Sequence, residues 1–581
     1  MPPHTNTTNT PTQSPRANTV SAQTAQTAPT AFYGLVADVI ADEIFPGVVV
    51  VQNGRIAAVA RDPSAPRDRI LVPGFVDAHV HIESSLLTPA AFGHHACIHG
   101  TAATVSDPHE IANVLGTAGV LWMLENARQS PVRIHFGAPS CVPATPFETA
   151  GAALGPAEIE TLLSRPEIKY LAEVMNYPGV IGGDPKMAAI LAVAKRLGKR
   201  IDGHAPGLVG DALAQYAAAG IETDHECVTL DEARQRAALG MFTAIREGSA
   251  ARNFDALVPL LRERPEMCFL CSDDKHPDDL LDGHINRLVA RAVAAGVAPL
   301  DALRAATLNP ARHYGLDTGL LQSGDRADFA VLTNLAEGRV LETWLGGKLV
   351  AKDGHCVLPA PAQIAPADCP NKFSRLPCRE PDFAVSADAT AATAQKIRVI
   401  GALDGQLITE ALEMLPTVRD GKFVADVSRD LLKIAVVNRY SPDAPPAVGF
   451  IKNFGLRAGA LASSVAHDSH NIVAVGADDA SLCAAVNAVI SRKGGLSFAA
   501  GGGAEPLVLP LPVAGLMSAG SCAEVGAAFT RLSAAAKTAG CPLRSPYMTL
   551  SFMALLVIPR LKLGDKGLFD VESFTSVGLA V

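Results

Sequence analysis

From Phe32 onward, short β-branched apolar runs alternate with segments whose apolar residues recur at helical spacing, and Gly, Asn and Pro punctuate the joins. Val48 to Val59 reads as two strands around an Asn53-Gly54 turn, and Leu341 to Val350 as a second hairpin around Gly346-Gly347. Between the hairpins eight strand-like runs are predicted, at 72–77, 103–106, 132–137, 169–173, 200–203, 221–224, 241–245 and 267–272. Helices are predicted among them, for example at 185–197, 211–219, 231–239 and 255–264. Strand and helix alternating about every 30 residues specify a parallel sheet, and eight repeats in about 250 residues close it into a barrel.

The predicted fold class is therefore α/β: a (β/α)8 TIM barrel at 71–322, a small split β-domain (32–70 and 323–358), a Pro- and Ala-rich linker at 359–395 and a C-terminal α/β domain at 396–581. Residues 1–31 are Thr, Ala, Asn, Gln, Ser and Pro with Arg16 as the single Lys or Arg, and such a segment buries too little apolar surface to order. It is expected to be a disordered tail.

Composition narrows the partners. A net charge of −9 over 581 residues and a pI near 6.0 argue against nucleic acid. No run approaches the ~18 apolar residues of a membrane helix, so no membrane association is expected. Eleven scattered cysteines suit reduced thiols and a cytoplasmic location. Cys268 and Cys271 have CxxC spacing but lie in an apolar strand with no second pair, which reads as core thiols.

Chemistry concentrates at the predicted strand ends. His79 and His81 stand at i and i+2 on an extended segment, so both imidazoles face one side. Glu173, His204, His225 and Asp273 close strands four, five, six and eight. All C-terminal strand ends of a barrel face one mouth, where barrel active sites lie. Four imidazoles and two carboxylates without a thiolate suit a divalent ion such as Zn, Mn or Fe. They are too many for one tetrahedral ion with an open position, and Glu173 is suited to bridge two ions about 3.5 to 4 Å apart. Such a site hydrolyses its substrate with a metal-bound hydroxide, the bound water being acidified toward a pKa of ~7, and Asp273 is placed to carry the proton.

The run Pro73-Gly74-Phe75-Val76-Asp77-Ala78-His79-Val80-His81, with His204, His225 and Asp273, resembles the amidohydrolase superfamily. Within it the chain resembles the adenine deaminases, through His81-Ile82-Glu83-Ser84-Ser85, Ser106-Asp107-Pro108-His109-Glu110-Ile111-Ala112-Asn113, Glu173-Val174-Met175-Asn176-Tyr177-Pro178-Gly179, Cys271-Ser272-Asp273-Asp274-Lys275-His276 and Ala466-His467-Asp468-Ser469-His470-Asn471. The resemblance spans about residues 32–581. It implies deamination of adenine to hypoxanthine and ammonia in purine salvage, at a centre of two divalent ions, manganese or iron with zinc as a possibility. His79, His81, Glu173, His204, His225 and Asp273 are carried over as ligands, with Glu173 where many superfamily members have a carboxylated lysine. Asp273 is expected to shuttle the proton and Glu110 or His109 to protonate ring N1. Glu83, Asp107, Asp274, His467 and His470 are expected to contact substrate. A homo-oligomer, a dimer in the simplest case, completes the expectation. The rivals are another dinuclear amidohydrolase acting on a different aminopurine, cyclic amide or N-acetyl amine, and a catalytically silent scaffold, against which the complete ligand set argues. His276 and His284, beyond strand eight, read as solvated helical histidines.

Overall fold

A computed structural model describes Met1 and residues 28–362, 364–387 and 396–581. Most of the expected tail, 2–27, and the end of the expected linker, 388–395, lie outside the described residues. The strand Thr30–Asp38 begins inside the segment expected to be tail, because Thr30 already pairs with Val51.

Both halves flanking the barrel enter one eight-stranded sheet. Thr30–Asp38, Glu43–Gln52, Arg55–Arg61 and Ile70–Pro73 come from the N-terminal side, and Phe329–Leu332, Val340–Leu345, Lys348–Lys352 and His355–Cys356 from the C-terminal side. They meet where Ile70–Pro73 runs antiparallel to Phe329–Leu332.

The eight barrel strands are Phe75–Val80, Thr101–Ser106, Arg133–Ala138, Ile168–Val174, Arg200–Gly203, Thr223–Asp224, Phe242–Arg246 and Cys268–Cys271. The first five pair in parallel, as do the last three. The Glu222 amide donates to Ile201 O at 2.9 Å between the two sets, and the Asp273 amide donates to His79 O at 2.9 Å across the closing seam. The predicted strand 72–77 is in fact two, since Ile70–Pro73 belongs to the β-sheet and Phe75–Val80 to the barrel. Every residue of the run is buried, so alternation could not mark the break; Gly74 does, because a Cβ there would lie 2.4 Å from Ala102 Cβ. The four predicted helices appear as Pro185–Arg196, Gly210–Ala218, Leu230–Ala238 and Phe254–Glu263. Their starts have local causes: Asp184 accepts the Met187 amide ahead of Pro185, and Thr229 with Glu232 forms a capping box.

In the C-terminal region, Ile397–Gly401, Leu432–Val437, Ala447–Lys452 and Ile472–Gly476 are inner strands of a second eight-stranded sheet, covered by Asp479–Ser491. Residues 370–387, which composition assigns to a linker, are laid against this unit. Cys378 N donates to Asn487 Oδ1 at 2.8 Å, Phe383 is fully buried, and Val385–Ser386 pairs with Lys422 and Phe423. Pro-rich chain reads as a linker whether it spans solvent or lies along a surface.

The C-terminal unit sits on the barrel mouth. Ser518 N donates to Leu86 O at 2.7 Å, Asn471 Nδ2 to Thr149 O at 2.9 Å, and Thr149 N to Asp565 Oδ1 at 2.9 Å. Phe529 packs on His276 with ring centroids 4.4 Å apart. One continuous apolar core runs through both units. Among the described residues no helix is long and apolar enough to cross a membrane.

Candidate metal centre and substrate chamber

The barrel seam closes through the site itself. His79 stands one residue before the end of the first barrel strand and His81 one residue after it. Asp273 follows the eighth strand with φ of 53°, a left-handed conformation that Asp tolerates better than bulkier residues. Its amide bonds His79 O, and its own carbonyl accepts the His81 amide at 3.3 Å. The seam therefore sets the HxH pair and Asp273 in register.

The donor atoms converge. His79 Nε2 and His81 Nε2 are 3.2 Å apart, and Asp273 Oδ1 lies 3.6 and 3.2 Å from them. Glu173 Oε2 faces His225 Nε2 at 3.1 Å, His204 Nδ1 at 3.3 Å and His79 Nε2 at 3.8 Å, while Oε1 faces His81 Nε2 at 3.7 Å. Two ligand atoms about 2.1 Å from one ion, at tetrahedral to octahedral angles, stand about 3.0 to 3.4 Å apart. The closer contacts here have that spacing. His204 Nε2 is buried without a hydrogen-bond partner, and His81 Nδ1 is 3.2 Å from Asp107 O, which directs its Nε2 lone pair inward. The residues present thus fit a divalent metal site.

Electrostatics keep the carboxylates ionised. Burial pushes the Glu173 and Asp273 carboxyls up, but His204 and His225 bring Glu173 well below the usual range. Arg246, with His81 and His225, does the same for Asp273. Arg246 Nη1 donates to Asp273 Oδ2 at 2.6 Å, and the same guanidinium grips Glu226 at 2.7 and 2.8 Å. Glu226 in turn faces His204 and His225, each at 3.4 Å. A second buried pair, Arg236 with Asp224, braces the strand end that carries His225; Asp224 also accepts the Ala205 amide at 3.1 Å. Removing one partner of a buried ion pair strands the other charge at a cost of about 3–5 kcal/mol. Asp224→Asn is expected to lose that much unfolding free energy, read as a lower urea midpoint at unchanged m-value.

The remaining expected site residues form a wall beside the cluster. His109 Nδ1 lies 3.2 Å from Asp107 Oδ2 and 3.4 Å from Glu173 Oε1. Asp274 accepts from Ser84 Oγ at 2.5 Å, and Glu83 Oε1 accepts the Ile111 amide at 3.2 Å. Burial, with Glu110 adding to it, pushes Glu83 up to about 7. Glu110 is held by His467 and His470, so both histidines reach the chamber. Beside Glu226 and Arg246 opens a cleft of about 500 Å³, walled by Gly207, Val228 and Asn253 of the barrel and Gln406, Leu407 and Ile558 of the C-terminal unit.

Sequence reasoning missed Arg246, Glu226 and Asp77. Arg246 ends the seventh strand, so the strand-end argument applied to His204 and His225 extends to it. The solvated reading of His276 and His284 is corrected: both are buried. His276 Nδ1 contacts Ser84 O at 3.0 Å, and His284 bridges Asp77 Oδ2 at 2.8 Å and Thr101 Oγ1 at 2.7 Å. Asp77 also receives the Ser272 amide at 2.9 Å, tying the strand that leads to His79 to the one that leads to Asp273. Cys268 and Cys271 are buried, as core thiols are expected to be.

Residues 70–350 match the family model described as Amidohydrolase family, and residues 406–575 match the Adenine deaminase C-terminal domain. An adenine deaminase of Salinibacter ruber is 51% identical over 545 residues, covering 94% of this chain and 98% of that protein. The chain belongs to the adenine deaminase family. The likeness is broad within that family: a Sulfurovum adenine deaminase is 51% identical over 92% of this chain and 97% of its own length, and one of Methanosarcina mazei 47% identical over 94% and 99%. Adenine deaminase family membership also accounts for the second domain, since a family model of its own covers the segment that carries His467 and His470.

Proposed function

We propose that this protein deaminates adenine hydrolytically, releasing hypoxanthine and ammonia. The observation that carries the reading is end-to-end identity of about one half to curated adenine deaminases, through barrel and C-terminal domain alike. His79, His81, Glu173, His204, His225 and Asp273 would hold two divalent ions, manganese or iron, with zinc possible; the donor spacing around Glu173, whose two oxygens face different imidazoles, supports a pair. Bound there, the ions would supply an acidified water and a positive field beside C6.

The chain's own groups do the rest. Adenine enters by the cleft between the domains, whose Leu407, Ile408 and Ile558 suit a flat, uncharged ring. Asp273 takes a proton from water and returns it to the departing amine. Arg246 steers that carboxylate by holding its second oxygen, leaving Oδ1 to face the histidines. Asp107, His109, Glu83 and Asp274 line the chamber, and Glu83 Oε2, buried without a hydrogen-bond partner, is available to a ring nitrogen or the exocyclic amine. All eleven cysteines are free thiols, which supports a reducing, cytoplasmic setting. Light scattering of the purified chain would decide the dimer.

The deciding assay is ammonia release from adenine, adenosine, guanine and cytosine by protein stripped with chelator and reloaded in turn with manganese, iron or zinc. Turnover of adenine that vanishes on stripping and returns with metal is expected. Silence on adenine with every metal would overturn the reading, and turnover of adenosine alone would move it to a nucleoside.

A further inference from the structure

Glu110 lies in the first turn of the helix His109–Leu115 and is buried. Its two oxygens are taken by two histidines of the other domain, His467 Nδ1 on Oε1 and His470 Nε2 on Oε2, the latter at 2.5 Å. His470 Nδ1 accepts the Ala466 amide at 3.3 Å, so the ring hydrogen of the neutral imidazole sits on Nε2, the nitrogen that faces Glu110. Behind His470 lies Arg439, fully buried and, among the described residues, without a carboxylate partner. Burial, with the charges of His467 and Arg439, lowers the His470 imidazole below its usual range against the pull of Glu110.

Glu110 thus has an imidazole nitrogen within ion-pair distance of each oxygen. Burial opposes its charge, but His467, His470 and His109 together hold it well below the usual carboxylate range. A carboxylate so placed is an acceptor and has no proton to give. His467 is different. Its Nδ1 is committed to Glu110, its ring stacks on Phe552 at 4.5 Å with 13° between planes, and its Nε2 is buried with no hydrogen-bond partner. A carboxylate that fixes one imidazole nitrogen and leaves the other free is the arrangement by which a histidine transfers protons. The charged groups around His467 are Glu110 from the barrel helix, Asp274 after the eighth strand, and Asp468 on its own loop; against burial they raise it to about 9.

We propose that His467 Nε2, oriented by Glu110, donates the proton to a ring nitrogen of adenine, so that the C-terminal domain provides the general acid for the barrel's reaction. Glu110 and His470 are then positioning residues, and the donor role moves away from Glu110 and His109. The proposal rests on the adenine reading. The atoms balance as follows: water oxygen bonds C6, one water proton goes to Asp273 and the His467 proton to N1. The C6–N6 bond breaks as Asp273 protonates the amine, ammonia leaves, and the hydroxyl proton lost in forming C6=O restores His467, leaving N1–H in hypoxanthine.

The test is kcat and KM for adenine against pH, on metal-loaded wild type, His467→Gln, His467→Gly and Glu110→Gln. Wild type is expected to lose kcat/KM on the alkaline side near pH 9, where His467 gives up its proton. His467→Gln is expected to drop kcat about 10²- to 10⁴-fold with KM little changed, and to lose that limb. Imidazole added to His467→Gly should restore part of the rate. Glu110→Gln removes the charge that favours imidazolium, so its limb should move to lower pH. Near-normal kcat in His467→Gln, or a limb unmoved in Glu110→Gln, would overturn the proposal. If the His467 variants do not fold, the Glu110→Gln limb decides alone. A wild type silent on adenine with every metal would sink the functional reading and this proposal with it; an active wild type beside an active His467→Gln sinks only the proposal.

Discussion

Replacing Glu173 by glutamine is expected to reduce adenine turnover by at least about 10³-fold and to lower the metal bound per chain, well beyond the about 10- to 100-fold cost of losing an outer-shell partner. The reason lies in what surrounds the carboxylate. Oε2 faces three imidazoles from the first, fifth and sixth strands, and Oε1 faces His81 and His109. An amide has no charge to offer an ion on either side. Its NH2 group, placed against nitrogens that need their lone pairs for metal, would compete with ligation instead of supporting it. Metal analysis by mass spectrometry separates this from a folding defect, because the variant should keep its circular dichroism. Full metal content with near-normal turnover would remove Glu173 from the centre.

The second large effect concerns the domain junction. A chain ending at residue 358 is expected to be insoluble or molten and to show no adenine turnover under any metal loading. Val525, Phe529 and Leu532 of the helix Cys522–Thr538 are buried in the core that continues into the barrel. Gly526 lies so close to Leu281 that a Cβ would sit 2.6 Å from Leu281 Cδ1. Uncovering a handful of Leu- and Phe-sized side chains at about 1.5–3 kcal/mol each is comparable with the about 5–15 kcal/mol that holds a domain folded. Truncation would also strip Glu110 of both histidines. Expression yield, gel filtration and dye binding to exposed apolar surface would report the outcome. A soluble, metal-loaded and active barrel would show instead that the junction is dispensable.

The barrel was legible because its signals are local. Strand and helix periods, Asn53-Gly54 and the caps at Asp184 and Thr229 act within a few residues, and ligand types at strand ends need only the rule that those ends share a mouth. The break at Gly74 was not legible, since a run buried on every face carries no alternation to interrupt. His284 was misread for a related reason: a histidine near the start of a helix looks solvent-facing until the Asp77 carboxylate, 207 residues away, is placed beside it.

The sequence by itself determined the eight-unit barrel, the donor types gathered at its mouth and the presence of a second domain, because periodicity and residue chemistry are written along the chain. Only the tertiary structure decided which groups act on one another. Arg246 against Asp273 and Glu226, and Glu110 between His467 and His470, depend on how separate elements pack. Contacts between residues on different elements, from about 20 to several hundred positions apart, leave no local pattern, and it is those contacts that settle charge, proton position and orientation in a buried site.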